Sequence, residues 1–147
     1  PFVIEPTTWE HFKEVVNRAG FAWANLLGQD RMYPWTPVDS SGAALTFTAV
    51  DAWYYRVGRL CHAFAGFTYP ATADASGTLI GGFPFLTVNL LGARSGQLVY
   101  SNSAVAAMFI MTNNTRTGAF ITAAGAVATN AQMTLSVNWI YVPYLVA

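Results

Sequence analysis

Two histidines, His11 and His62, and one cysteine, Cys61, are the residues of this chain best suited to nucleophilic or metal chemistry. Cys61 and His62 are neighbours, the simplest form of a thiolate–imidazole pair. In an extended strand, however, successive side chains point to opposite faces of the sheet, so the two cannot converge on one atom. Neither has a second local partner of the kind that a metal or an activated nucleophile requires. His62 therefore reads as a sheet residue with one hydrogen bond. Glutamate ends at Glu14, leaving Asp30, Asp39, Asp51 and Asp74 as the later carboxylates. Glycoside cleavage usually needs two carboxylates. These four fall in stretches that read as linkers and turns, where Asp commonly bonds the local backbone. "LIGGF" is followed by Pro-Phe and lacks the Lys-Ser/Thr of a phosphate-binding loop. The expectation is no catalytic residue, no metal site and no cofactor.

Aromatic side chains are the remaining resource: Trp35, Trp53, Tyr54, Tyr55, Tyr69, Trp139, Tyr141 and Tyr144. Aromatic faces can bind sugar rings, but in a β-protein each is foremost a core or interface residue. None is singled out as glycan-facing. The single cysteine excludes an intrachain disulfide.

The 147 residues suit one domain with a sizeable core. Charged residues make up 10%, against about 25% in ordinary globular proteins. The formal net charge is zero, with no basic block, so binding to nucleic acid by phosphate neutralisation is not expected. After residue 60 only Asp74, Arg94 and Arg116 carry charge. Such a surface is expected to be covered in an oligomer. The longest strongly apolar run, "AVAAMFIM" at 104–111, is far short of the ~18 residues of a membrane span. "PFVIEP" lacks the basic start and apolar core of a signal peptide. A start at Pro1 fits a chain that has lost its methionine or the end of a longer one.

The elements that must position these residues are one helix and many strands. "TTWEHFKEVVNRAGFAWANLLG" opens with Thr7 and Glu10 at capping-box spacing and closes at Gly28. Trp9, Phe12, Val16, Ala19, Trp23 and Leu26 recur at alternating steps of three and four, a heptad seam. That seam suits either packing on its own domain or a short multi-chain coil or anchor inserted into a neighbour. Residues 1–35 thus read as a helix with a Pro-rich linker, an anchor or trimerisation segment, and 36–147 as the β-domain.

In the β-domain "ALTFTAV" alternates, and "AWYYRV" and "LCHAFAGFTY" read as strands around Gly58. "TLIGGFPFLTVNLL" reads as strand, bend, strand. "NNTRT" is a hairpin signal between "AVAAMFIMT" and "GAFITAAG". In "AQMTLSVNWIY", Met133, Leu135, Val137, Trp139 and Tyr141 share one face and Gln132, Thr134, Ser136 and Asn138 the other. Short strands without interleaved helices predict an antiparallel, jelly-roll-like β-sandwich.

"PWTPV", "WYYRVGRLC", "IGGFPF" and the final "LSVNWIYVPYLVA" resemble the C-terminal β-sandwich of tailed-bacteriophage fibre, tailspike and head-fibre proteins. Trp35, Thr36 and Pro37 match that family's Trp-Thr-Pro opening. Tyr54, Arg56, Gly58 and Leu60 match its strand pair, and Gly82, Pro84 and Phe85 match its turn. Cys61 and Phe83 replace the usual Val and Leu, keeping apolar side chains. The resemblance covers about residues 34–147 and implies a homotrimer on the virion surface, in contact with other capsid or tail proteins and serving attachment to host-surface glycan. The alternatives weighed are a capsid decoration or cement protein that grips the shell through its N-terminal segment and, more remotely, a carbohydrate-binding module or hydrolase. Gly58 is expected to supply a positive-φ bend between two strands. Arg56, set among apolar strands, is expected to need a fixed partner, either Asp51 or a carbonyl of a neighbouring subunit.

Overall fold

The structure, a computed structural model, describes residues 32–89 and 96–147. The helix of residues 7–28 and its seam, Trp9, Phe12, Val16, Ala19, Trp23 and Leu26, lie outside the described residues.

Aromatic and β-branched runs separated by Gly, Pro and Asn turns build nine described strands. They are β1 (Tyr33–Pro34), β2 (Val38–Asp39), β3 (Thr48–Val57), β4 (Leu60–Thr68), β5 (Ile80–Gly81), β6 (Gln97–Ser101), β7 (Ala106–Met111), β8 (Gly118–Thr122) and β9 (Val137–Leu145). A single 3₁₀ turn, Ala131–Met133, precedes β9. The strands form two antiparallel sheets, one of five strands in the order β1-β3-β4-β9-β6 and one of four in the order β2-β5-β8-β7. The class is mainly β, as the sequence predicts.

Both sheets contribute to one buried cluster that includes Phe67, Ile80, Phe83, Phe109, Phe120, Val142 and Tyr144. The ring of Phe67 on β4 lies 6.2 Å from that of Phe120 on β8. On the inner side of the five-stranded sheet Ala52 of β3 and Cys61, Ala63 and Ala65 of β4 are small and buried, while Phe67, Ile140, Val142 and Tyr144 supply its bulk. The four-stranded sheet contributes Phe109 and Phe120, whose rings meet edge to face at 5.2 Å. Small side chains facing large ones let the layers interdigitate at protein-interior density.

Several local expectations change. The end of the segment assigned to the linker forms β1, paired with β3, and β2 follows, paired with β5. Asp51, expected in a turn, lies in β3. The alternating segment at 44–50 becomes strand only at Thr48, although Leu45 and Phe47 do pack on the core. Of the strand–bend–strand at 78–91, the described part keeps β5 and an isolated bridge from Thr87 to Val146. β6 is a strand that the pattern at 97–101 does not announce.

The largest correction concerns faces. β9 begins at Val137, not at residue 131, because the 3₁₀ turn and Leu135 at φ 56° interrupt the pattern. Its buried side is Asn138, Ile140, Val142 and Tyr144, whereas Trp139 is 54% exposed. Alternation is present, but of the apolar set Val137, Trp139 and Tyr141 lie on the outer side, while Met133, in the 3₁₀ turn, is buried. Asn138 is tolerated in the core because its amide is fully bonded. It accepts from Ser101 Oγ at 2.7 Å and donates to Ser136 Oγ at 2.9 Å and to the Ser136 carbonyl at 3.1 Å.

Candidate functional site

Pairing register sets the outer face of the five-stranded sheet row by row. Val57, Leu60 and Leu145 form the first row, and Tyr55, His62 and Pro143 the second. Trp53, Phe64, Tyr141 and Gln97 form the third, and Asp51, Gly66, Trp139 and Tyr100 the fourth. Apart from Asp51, every side chain in these rows is uncharged or the neutral-leaning His62. Leu60, His62 and Phe64 are therefore on the outside, and Cys61 is fully buried on the inside.

The rings stand side by side rather than in a core. Tyr55 and His62 stack at 4.5 Å with 10° between planes, and Phe64 and Tyr141 at 4.9 Å with 22°. His62 Nδ1 lies 2.7 Å from the Tyr141 hydroxyl, the single side-chain bond expected of it. Burial pushes the His62 pKa below its usual value, so the imidazole favours its neutral form. Burial pushes the Cys61 thiol up, away from a thiolate. Among the described residues no three His, Cys, Asp or Glu side chains group so as to hold a metal ion.

At the fourth row the face opens into a groove of about 490 Å³ lined by Asp51, Trp53, Gly66, Val99, Val137 and Trp139. Gly66 is its floor, and a Cβ there would lie 3.2 Å from Cδ1 of Trp139. Trp53 donates its indole N–H to Asp51 at 2.5 Å. Both flanking strands bulge beside the groove. β3 shifts register between Thr48 and Asp51, with Ala49 at φ 49°, and β6 shifts between Leu98 and Tyr100. Such bulges re-aim side chains and end pairing.

The motif residues converge elsewhere, inside the fold. Trp35 is buried, donates its indole N–H to the carbonyls of Phe64 (3.0 Å) and Trp53 (3.2 Å), and packs on Phe83 at 4.6 Å. Pro37 is buried just before the chain enters the second sheet at β2. Gly82 has φ 84°, and a Cβ there would lie 2.1 Å from the Thr36 carbonyl oxygen, so the opening and the turn abut. Pro84 is half-buried in that turn. Phe85 meets Tyr54 edge-on at 5.4 Å, and its N–H donates to the Tyr144 hydroxyl at 3.2 Å.

Both arginines have partners within the chain. Arg56 donates Nε–H to the Gly58 carbonyl at 2.6 Å, rather than pairing with Asp51, and lies 4.9 Å over the Phe85 ring. Arg59 grips the Val146 carbonyl through Nε and Nη2. Gly58, at φ 57°, is the first residue of a two-residue turn joining β3 to β4, where Val57 pairs with Leu60. That is the place a hairpin of this length reserves for Gly, as the sequence predicts.

A second polar cluster uses two Asp-x-Ser-Gly turns. Asp39 accepts from the Ser41 N–H (2.9 Å), the Ser41 hydroxyl (2.6 Å) and the Leu45 N–H (3.1 Å). Asp74 accepts from the Ser76 N–H, the Ser76 hydroxyl and the Asn130 amide. Asn130 also donates toward Ser41 and Ser76, tying the two turns together. Burial raises the Asp39 pKa, but its hydrogen bonds from Ser41 and Leu45 outweigh this and leave it below the usual carboxylate value. The Ser76 and Asn130 bonds hold Asp74 low as well. These carboxylates are occupied in shaping loops.

Phe64, Gly66, Val99 and Tyr100 are among the face residues that sequence reasoning did not single out. The available signal for Phe64 and Gly66 is the alternation of small and large residues in "LCHAFAGF". Comparison of the chain with protein-family models, characterised proteins and solved structures gives no match.

Proposed function

We propose that this chain is a structural protein of a bacteriophage virion, a homotrimeric fibre- or spike-type module displayed on the particle surface for host-surface attachment, with glycan as the expected receptor. In this reading the two sheets are a jelly-roll-like sandwich, and the seam from Trp9 to Leu26 anchors or trimerises the chain. The observation that carries the reading is the sheet with its aromatic residues turned outward. A chain that places Trp53, Phe64, Trp139 and Tyr141 on the outer face of a sheet presents a surface suited to a partner. The convergence of Trp35, Tyr54, Arg56, Gly82 and Phe85 supports the resemblance as a structural motif. A non-catalytic role is supported by the engagement of Asp39, Asp74 and His62 in local hydrogen bonds.

The test is immunogold labelling of purified particles with antibody to this chain, together with inhibition of host adsorption by the purified protein. Label on the fibres and blocked adsorption are expected. Label on the head with adsorption unaffected would shift the role to capsid decoration, and absence from particles would overturn the reading.

A further inference from the structure

We infer that the outer face of the five-stranded sheet is the surface through which copies of this chain meet. The inference rests on the oligomer in the reading above and names a contact for it within the β-domain.

Four strands, β3, β4, β9 and β6, cross this face, and the register aligns four outer rows on it. At ~4.8 Å between strands and ~6.7 Å between outer rows, the flat footprint is about 400 Å², and protruding rings add to it. That matches the largest apolar patch of a typical monomer, ~300–600 Å², which is often functional. It is about half of the ~800 Å² that each partner contributes to a standard interface. Each subunit of a cyclic trimer meets two neighbours, so the face can form the apolar centre of contacts whose polar rim lies around it.

The chemistry selects a copy over other occupants. The face's exposed residues include Val99 (62%), Trp139 (54%), Tyr100 and Val57. Two of its polar pairs bond each other, Asp51 with Trp53 and His62 with Tyr141. A sugar site needs several free, convergent donors and acceptors beside its aromatic platform, and this groove offers few. Asp51 is the one charged side chain in the four rows, so the face has no field to steer a charged partner. Every copy carries the same apolar surface at the same concentration, and closed symmetry covers it on all of them.

The experiment uses the full chain in analytical ultracentrifugation, with circular dichroism as the fold control. Wild type is expected to sediment at three times the protomer mass. Trp139→Glu and Val99→Glu are expected to sediment as folded monomers, and Val127→Glu, an exposed site outside these rows, as wild type. Val99 protrudes most and so decides the matter should Trp139→Glu fail to fold. A trimer that survives Val99→Glu unchanged would overturn the inference while leaving the trimer itself standing. A monomeric wild type would overturn both. Retention of maltopentaose or chitopentaose by wild type, lost in Trp139→Glu, would make the face a sugar platform and overturn the inference.

Discussion

The two sheets of this protein fill the core with different residues along their central strands. β7 and β8 of the four-stranded sheet send Phe109, Met111 and Phe120 inward. The first half of β4 in the five-stranded sheet sends Cys61, Ala63 and Ala65 inward and keeps His62 and Phe64 outside, with Phe67 the ring that β4 buries. Core volume is finite, so large side chains on one strand require small ones where they meet another. Along that half of β4 the large residues lie on the outer face. The difference teaches that exposure of an aromatic here is a consequence of how the core is filled, not a failure to fold.

The sharpest way to break this comparison is to truncate the same residue type on each sheet. Phe120→Ala is expected to cost about 3–5 kcal/mol, the range for a buried ring that leaves a cavity. Phe64→Ala, on the half-buried outer face, should cost at most about 1.5 kcal/mol of protomer stability. Its larger effect should appear as a weaker concentration dependence of the melting temperature, because the loss falls on assembly. Urea denaturation at two protein concentrations measures both. Equal losses at Phe64 and Phe120 would mean that the sheets are not asymmetric.

Enlarging the slight side tests the same idea in reverse. Ala63 is fully buried, and Ala63→Leu should cost about 1–3 kcal/mol through overpacking against the opposing sheet. A combined Ala63→Leu, Phe120→Leu chain should recover part of that loss if the two layers share one volume. A double-mutant cycle in chemical denaturation reads the recovery.

Turn strain ranks next. Gly58→Val should lose about 1–3 kcal/mol, since a β-branched residue is strained at φ 57° although open space surrounds it. Thermal midpoints of Gly58→Val and Gly58→Asn separate strain from crowding, because Asn tolerates this conformation and should retain most of the stability. A Val variant that melts with wild type would show that the turn can reshape.

The smallest expected effect concerns the polar loops, far from either packing solution. Asp39 and Asp74 have folded pKa values below their usual 3.8. Their bonds therefore stabilise the fold fully well above that value, and the contribution fades as pH falls through the folded values. Melting temperature should decline between pH 5 and pH 2, and Asp39→Asn should flatten the decline. A decline of the same slope in that variant would place the acid sensitivity elsewhere.

Much of the molecule was legible in its residues. Turn chemistry at Gly58 and at "NNTRT" located two hairpins, and the aromatic, β-branched runs around them located β3, β4, β7 and β8. These are local properties, set by φ preferences and by side chains that suit a pleated surface. The meeting of Trp35, Gly82 and Phe85 could not be derived from spacing, because it joins segments from both sheets. Nor could the side that each strand buries. β4 and β9 are apolar on both faces, so a rule that sends apolar residues inward has two solutions there. Only packing against the other sheet chose between them, setting Cys61, Ala63, Ala65 and Phe67 of β4 and Ile140, Val142 and Tyr144 of β9 into one core with Phe109 and Phe120.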